Sequence, residues 1–455
     1  MTALPQGFRV RLEPGVRVRD GARVIAGGSP GRMLRLSREG VGALDRLAAG
    51  SACSEAERAL GRRLVDAGLA RPFPPAGAPP GLSVAVAIPV RDDACRLERC
   101  LATLEGLRVL VVDDGSTEPD AVADVCRSHG AEVLRRARSG GPAAARNDAA
   151  RALDTDLVAF LDSDCIAPRD WLELLLPHFS DPLVAAVAPR VRPLVQGSGA
   201  WARYARARSP LDLGPRGCEV RPAGLVPYVP TAALAVRRSL ARFDEELRYG
   251  EDVDLVWRLC DAGHRVRYVP EVEVRHEEPN RAGRLLARRY RYGTSAAPLA
   301  RRHPGRLAST VVAPAPVAAL ALALAGRRAS AATVLGASGL LRARRLRRGG
   351  VPAGEVPRLV ATSVVASGLG LARAAAVHAA PAVVAATPPG RRWRAAAVLA
   401  APLVVDWVRR RPPLDPLRWT VLGLVDDAAY GAGVWRGCLT ERTAAPLQPL
   451  SRRRR

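Results

Sequence analysis

The chain has no lysine: all 69 basic residues are arginine, against 44 acidic ones, for a formal net charge of +25 over 455 residues. Aromatics are scarce as well, at 4% of the chain, while Ala, Val, Leu and Gly dominate. That skew is a mark of GC-rich codons, so only part of the positive surplus bears on function. The remainder favours anionic partners such as diphosphates or acidic lipid headgroups. Basic segments interleaved with aromatics, the pattern of RNA-binding modules, are missing, which argues against nucleic acid. Eight cysteines (Cys53, Cys95, Cys100, Cys126, Cys165, Cys218, Cys260, Cys438) include no C-x-x-C pair. Their scatter argues against a zinc site or a disulfide framework and for a reducing cytoplasm. The start, "MTALPQGFRVRLEPG", has no apolar core, so no signal peptide is expected.

Length alone implies two or three domains. Residues 1–75 alternate apolar and polar positions around a "DG" turn, then turn helical in "EGVGALDRLAAG" and "EAERALGRRLVDAGL". This predicts a small α+β module, closed by the Pro/Gly-rich linker "ARPFPPAGAPPG". From residue 82 to 280 apolar strands alternate with amphipathic helices, which predicts a mostly parallel sheet covered on both faces. Residues 281–306 form a basic connector with eight arginines and no acid. The region 307–440 is apolar and helical, with stretches at Leu307–Gly326, Leu359–Ala372, Ala374–Gly390 and Ala395–Val405. Twenty apolar residues suffice to span a bilayer, although alanine contributes little to insertion and prolines interrupt the first stretch. A spanning helix and a buried alanine-rich bundle both remain open. In either case the neighbouring arginines suit an anionic membrane surface.

In sheets of this kind ligands bind beyond the carboxyl ends of the strands, and acids sit there repeatedly. "FLDSD" places Asp162 and Asp164 directly after an apolar strand, where two carboxylates can share Mg²⁺ or Mn²⁺ and so hold a nucleotide diphosphate. The triplet by itself is weak, since "DTD" and "DVD" also occur in the chain. "VVDDGST" ends another strand with Asp113 and Asp114, which could cap a helix or meet a base or ribose. "AIPVRDD" places Pro89 where a third strand stops, and "GPAAARN" opens a helix that supplies Arg146 and Asn147. A helix start and an arginine both suit phosphates. In "FDEELRYGEDVDL", Glu251 and Asp252 begin a helix, as dipole-favoured acids or as a general base. His276 closes a strand in "VEVRHEEP" and is a plausible third metal ligand.

Taken in order, the run "AIPVRDD … VVDDGST … GPAAARN … FLDSD … FDEELRYGEDVDL" resembles the family 2 glycosyltransferases of the GT-A fold. The resemblance implies an α/β, Rossmann-like catalytic domain and a metal-dependent, inverting hexosyltransferase. Pro89, Asp113 and Asp114 would then lie around the base of a UDP-sugar, and Asp162 at its ribose. Asp164 would be the direct metal ligand, with His276 beside it, and Asp252 the catalytic base next to Glu251. Arg91 stands where relatives often carry an aromatic residue. The Q-x-x-R-W acceptor motif of processive, cellulose-synthase-like members is absent, so processive polymerisation has no motif to support it.

The N-terminal module resembles the small PqqD-like domains that take up precursor peptides by strand addition. The whole layout resembles the glycosyltransferases of the mycofactocin system. That implies transfer of glucose from UDP-glucose onto a peptide-derived redox-cofactor precursor, building a short β-1,4-glucan at the cytoplasmic face of the membrane. Two alternatives stay open: a membrane-associated transferase for lipid-linked or cell-wall glycans, and a non-catalytic basic scaffold. The scaffold leaves the ordered strand-end acids without a purpose.

Overall fold

Alternation of apolar strands with amphipathic helices decides the catalytic architecture. In the computed structural model, Val84–Val90, Val109–Asp113, Glu132–Arg135 and Leu157–Leu161 pair in parallel, with helices Ala94–Leu101, Pro119–Ser128 and Pro142–Ala152 between them. The structure describes residues 2–451, apart from positions 20, 22, 29, 30, 52, 53, 308–310, 313, 314, 316, 317, 320, 321, 324, 349–353, 355 and 449. Every residue of Val109–Asp113 and Leu157–Leu161 is buried, as a strand covered on both faces requires. Val86, Ile88, Val111, Ala159 and Leu161 pack with Leu97, Cys100 and Val122 from the helices.

The remaining half of the sheet is mixed. Ala233–Arg237 lies antiparallel to Leu157–Leu161, Val184–Leu194 antiparallel to Ala233–Arg237, and Arg265–Glu277 parallel to Val184–Leu194. The short strand Cys165–Ile166 closes that edge against Arg265–Glu277. Which strands reverse here depends on long-range pairing, and local periodicity carries no record of it.

The chain folds as two compact units, Met1–Leu194 with Arg208–Glu278, and Val195–Ala207 with Pro279–Arg455. Within the first, the N-terminal residues build a small core of their own. Strand Arg9–Leu12 pairs with Ala70–Phe73, and a three-stranded sheet joins Arg17–Arg19, Val24–Gly27 and Arg32–Arg35. Helices Arg38–Ala49 and Glu55–Asp66 cover Phe8, Val10, Ile25, Leu47 and Leu64. Gly61 is required for this packing, because a Cβ there would stand 2.9 Å from both Leu4 and Leu47. The second helix starts with a reciprocal cap: Ser54 Oγ accepts from Glu57 N at 3.2 Å, and Glu57 Oε2 accepts from Ser54 N at 3.3 Å. Ser54→Ala is therefore expected to lower stability by about 1 kcal/mol, read as a fall in the urea midpoint at unchanged slope.

This module is fastened to the catalytic sheet by buried charges. Both Nη atoms of Arg62 reach Asp181 at 2.8 Å, and Arg267 Nη2 reaches it at 2.7 Å. Arg62 is 1% exposed, Asp181 0% and Arg267 3%. Arg267 also lies over the ring of Phe8, and Arg265 bonds both carboxylate oxygens of Asp66.

The second unit is helical. Helix Pro416–Thr440 packs on Ala282–Thr294 through glycines: a methyl on Gly433 would overlap the carbonyl of Tyr290, and one on Gly437 that of Thr294. Such small-residue seams let helix backbones approach closely. Asp426 and Asp427 are buried in this helix, held by Tyr204 and Arg289 and by Arg373 respectively. Among the described residues, one helix, Val356–His378, is long and apolar enough to cross a membrane, with a mean hydropathy of 1.5. It contains the Leu359–Ala372 stretch. Ala374–Gly390 instead breaks after His378 into separate helical pieces, and Ala395–Val405 lies in Arg392–Arg410, which carries Pro402. Much of Leu307–Gly326 lies outside the described residues. The seven described cysteines are free thiols, and Cys53 lies outside the described residues.

Candidate functional site

Strand register gathers the acids. Val90 pairs with Asp113 and Ala87 with Phe160, so Pro89, Asp113 and the residue after Leu161 leave the sheet along one edge. Asp162 N donates to Ala232 O at 3.0 Å, which fixes where the chain turns away. Three residues on, Cys165 pairs with His276, and Glu277 N donates to Asp164 O at 3.0 Å. The histidine and the D-x-D segment, more than a hundred residues apart, are thus brought side by side by backbone hydrogen bonds.

The result is a set of three ligand atoms from Asp162, Asp164 and His276, all within 4.8 Å of one another. His276 Nε2 stands 3.4 Å from Asp164 Oδ1. Its Nδ1 is buried without a hydrogen-bond partner and stands 3.7 Å from the buried Glu278 carboxylate. A carboxylate behind the far ring nitrogen of a histidine is the usual means of aiming the near nitrogen at a cation. Burial raises the Asp164 carboxyl above its ordinary range, opposed by His276 and reinforced by Asp162. A divalent cation would relieve both the burial and the repulsion. Two carboxylates and one imidazole suit Mn²⁺ or Mg²⁺ by donor type, so the residues fit the metal that the sequence resemblance implies. Arg96 and Arg99, which the sequence reading missed, both pair with Glu277 next to His276.

Helix Glu251–Asp261 begins after Gly250, whose φ of +86° is left-handed. A side chain would strain that turn. Asp252 is part-buried at the helix start and accepts from Val253 N at 2.7 Å. Burial first, then the adjacent Glu251 carboxylate, push its pKa up to about 7. A carboxylate that titrates near neutrality is suited to proton transfer.

Three further residues expected at the nucleotide are held by hydrogen bonds of their own. Asp113 is 1% exposed and accepts from Ser116 N and from Arg135. Asp114, 5% exposed, accepts from Ser139 Oγ at 2.7 Å, Gly140 N at 2.9 Å, Gly141 N at 2.8 Å and from Arg136. These bonds outweigh burial and hold the Asp114 carboxyl below its usual range. Both acids therefore tie down the 135–141 loop and the start of helix Pro142–Ala152. Arg146 is 4% exposed, and its two ends bond Glu251 Oε1 at 2.9 Å and Asp162 Oδ1 at 2.7 Å. Pro89 lies part-buried beside Val90, and Arg91 is exposed, donating to Ser139 Oγ at 3.1 Å. No repeated spacing in the sequence signals that these acids turn inward; the arginines that meet them come from distant segments.

Residues 85–242 match the family described as Glycosyl transferase family 2. The chain is 43% identical over 470 residues to the pre-mycofactocin glycosyltransferase of Mycobacterium tuberculosis, covering 99% of each. It is 32% identical over 135 residues to an O-antigen chain rhamnosyltransferase of Salmonella typhimurium, covering 28% of this chain and 43% of the other. Among solved structures, a mannosyltransferase of Pyrobaculum calidifontis in complex with GDP-Man and Mn²⁺ superposes with a TM-score of 0.45 at 18% identity, covering 81% of this chain and 91% of that one.

Proposed function

The chain belongs to the family 2 glycosyltransferases and carries their GT-A fold, and on that premise we propose that it moves glucose from UDP-glucose onto a peptide-derived mycofactocin precursor. The observation that carries this reading is the 43% identity to a pre-mycofactocin glycosyltransferase over 99% of both chains. It extends through the N-terminal module and the helical unit, segments that a sugar-nucleotide domain alone would not need. The product is a short β-1,4-glucan. With no Q-x-x-R-W segment in the chain, a glucan requires either separate rounds of addition or another acceptor site.

At the site, Asp162 meets the ribose and Pro89 lies against the base, while Asp113 and Asp114 shape the loop around it. Asp164 and His276 hold Mn²⁺ or Mg²⁺. When bound, the cation offsets charge on the departing nucleoside diphosphate. The Asp252 carboxylate takes the proton from the acceptor hydroxyl, which attacks the anomeric carbon from the face opposite the leaving group and inverts its configuration. Glu251, bonded to Arg146, orients that helix start. Asp164→Ala is expected to weaken Mn²⁺ binding by at least the roughly 10–100-fold that loss of an outer-shell partner costs, measured by calorimetry with UDP present; unchanged affinity would place the cation elsewhere.

The N-terminal module supplies the acceptor by adding the peptide to a sheet edge. The enzyme works at the cytoplasmic face of the membrane. Exposed apolar residues of the helical unit support a membrane surface, among them Val365, Leu417, Val421, Trp435 and Leu439. The test is intact-mass analysis of a peptide-derived acceptor after incubation with UDP-glucose and Mn²⁺. Acceptor ions rising in single-hexose steps support the reading. UDP release with a glycosylated polyprenyl lipid and an unchanged peptide would move the acceptor to lipid-linked glycans.

A further inference from the structure

Arg146 and Asn147 sit together in helix Pro142–Ala152, and both reach out to the segment that leads into Asp252. Asn147 Oδ1 accepts from Phe243 N at 2.8 Å, and its Nδ2 donates to Phe243 O at 3.0 Å and Glu245 Oε1 at 2.7 Å. The Arg146 guanidinium lies over the Phe243 ring at 5.7 Å, and that ring meets Phe160 edge-on at 5.3 Å, two residues before Asp162. One Arg146 nitrogen then holds Glu251 and the other Asp162. A planar guanidinium can bind two carboxylates at once in a fixed geometry, which an ammonium cannot. Asp252 lies beside Glu251 and within the fields of Asp162 and Arg146. Removing the cation would leave carboxylates crowded together in a poorly solvated pocket.

Resting on the sugar-transfer reading above, we propose that Arg146 is a positioning residue for transfer and not a ligand of the donor. Its two-ended bridge fixes the helix start that presents Asp252 against the strand end that presents Asp162 and Asp164. Misplacing a reacting group by about 1 Å costs on the order of 10²-fold in rate, so the bridge acts more on turnover than on donor affinity.

The experiment compares full-length wild type with Arg146→Met, Arg146→Lys and Glu251→Gln. Each is assayed for kcat and donor KM with UDP-glucose and Mn²⁺ across pH, for UDP binding by calorimetry, and for thermal melting. Arg146→Met is expected to lose about 10²-fold in kcat with a much smaller change in donor KM and UDP affinity, and the acid limb of its pH profile moves to higher pH. Glu251→Gln moves that limb to lower pH, because it removes a like charge next to Asp252 while leaving an oxygen for Arg146. Arg146→Lys restores the position of the limb but only part of kcat. If Arg146→Met melts before assay, the other two variants decide the matter: Arg146→Lys keeps the wild-type limb at lowered kcat, while Glu251→Gln moves the limb to lower pH. Raised donor KM or weakened UDP binding with kcat retained would make Arg146 a donor ligand and overturn the proposal alone. No turnover by wild type with any UDP-sugar would overturn the sugar-transfer reading and the proposal together.

Discussion

Asp252→Asn is expected to lower sugar transfer by about 10²–10⁴-fold while UDP binding and thermal melting stay as in wild type. The amide keeps the size of the side chain and its bond from Val253 N, but it cannot accept a proton from the acceptor. The pH dependence follows from the same group. Its pKa stands near 7 because burial and then Glu251 disfavour the charged form. If Asp252 is the proposed base, its charged form is the active one, so kcat/KM should rise with pH through about 7 and fall tenfold per unit below it. In Asp252→Asn the residual rate should lose that limb. A variant that keeps the wild-type rate, or the same acid limb, would move the base to another residue.

Asp181→Asn should cost about 3–5 kcal/mol of stability, because it leaves Arg62 and Arg267 as buried charges without their counter-ion. Asp181 lies in no sugar-nucleotide motif, so the loss should show in thermal or urea unfolding and not in donor KM of the folded fraction. Burial alone would raise the Asp181 carboxyl, but hydrogen bonds from Arg62 and the charge of Arg267 more than offset it and hold it below its usual range. A carboxyl depressed in the folded state stabilises the fold above its unfolded value, near 4, and loses that contribution as pH falls through the folded value. Unfolding below pH 4 should therefore be steeper in wild type than in Asp181→Asn. His178 adds no further positive charge to this cluster at pH 4 and above, since burial and then Arg267 push its pKa down to about 3. Stability unchanged in Asp181→Asn would mean that the buried Arg62–Asp181–Arg267 cluster does not hold the N-terminal module.

These two residues also mark what the amino-acid order reveals and what it hides. The strands that end in Asp113 and Asp162, and the helix that opens at Glu251, follow from local patterns: apolar runs of strand length, glycine before a helix, acids in its first turn. Asp164 and His276 could be named from those patterns, and the strand register sets them side by side. The inward turn of Asp113 and Asp114, and the bridge of Arg146 to Glu251, depend on which arginine meets which acid after folding. With 69 arginines in the chain, position alone does not single out those partners. The Arg62–Asp181–Arg267 cluster is hidden for the same reason, its members lying 119 and 86 residues apart. The mixed half of the sheet escapes periodicity because a strand reads alike in either direction. In the helical unit, four apolar stretches were visible, yet charge and proline divide them, and one described helix has the length and apolarity of a membrane span.

The central claim is a single displacement at the anomeric carbon, driven by one base at Asp252. The most direct measurement is the anomeric configuration of the new glycosidic bond, read by proton NMR of the product made from α-linked UDP-glucose. A β-linkage is expected in every molecule formed. An α-linkage would require two successive displacements or a front-face transfer, and would contradict the role given to Asp252.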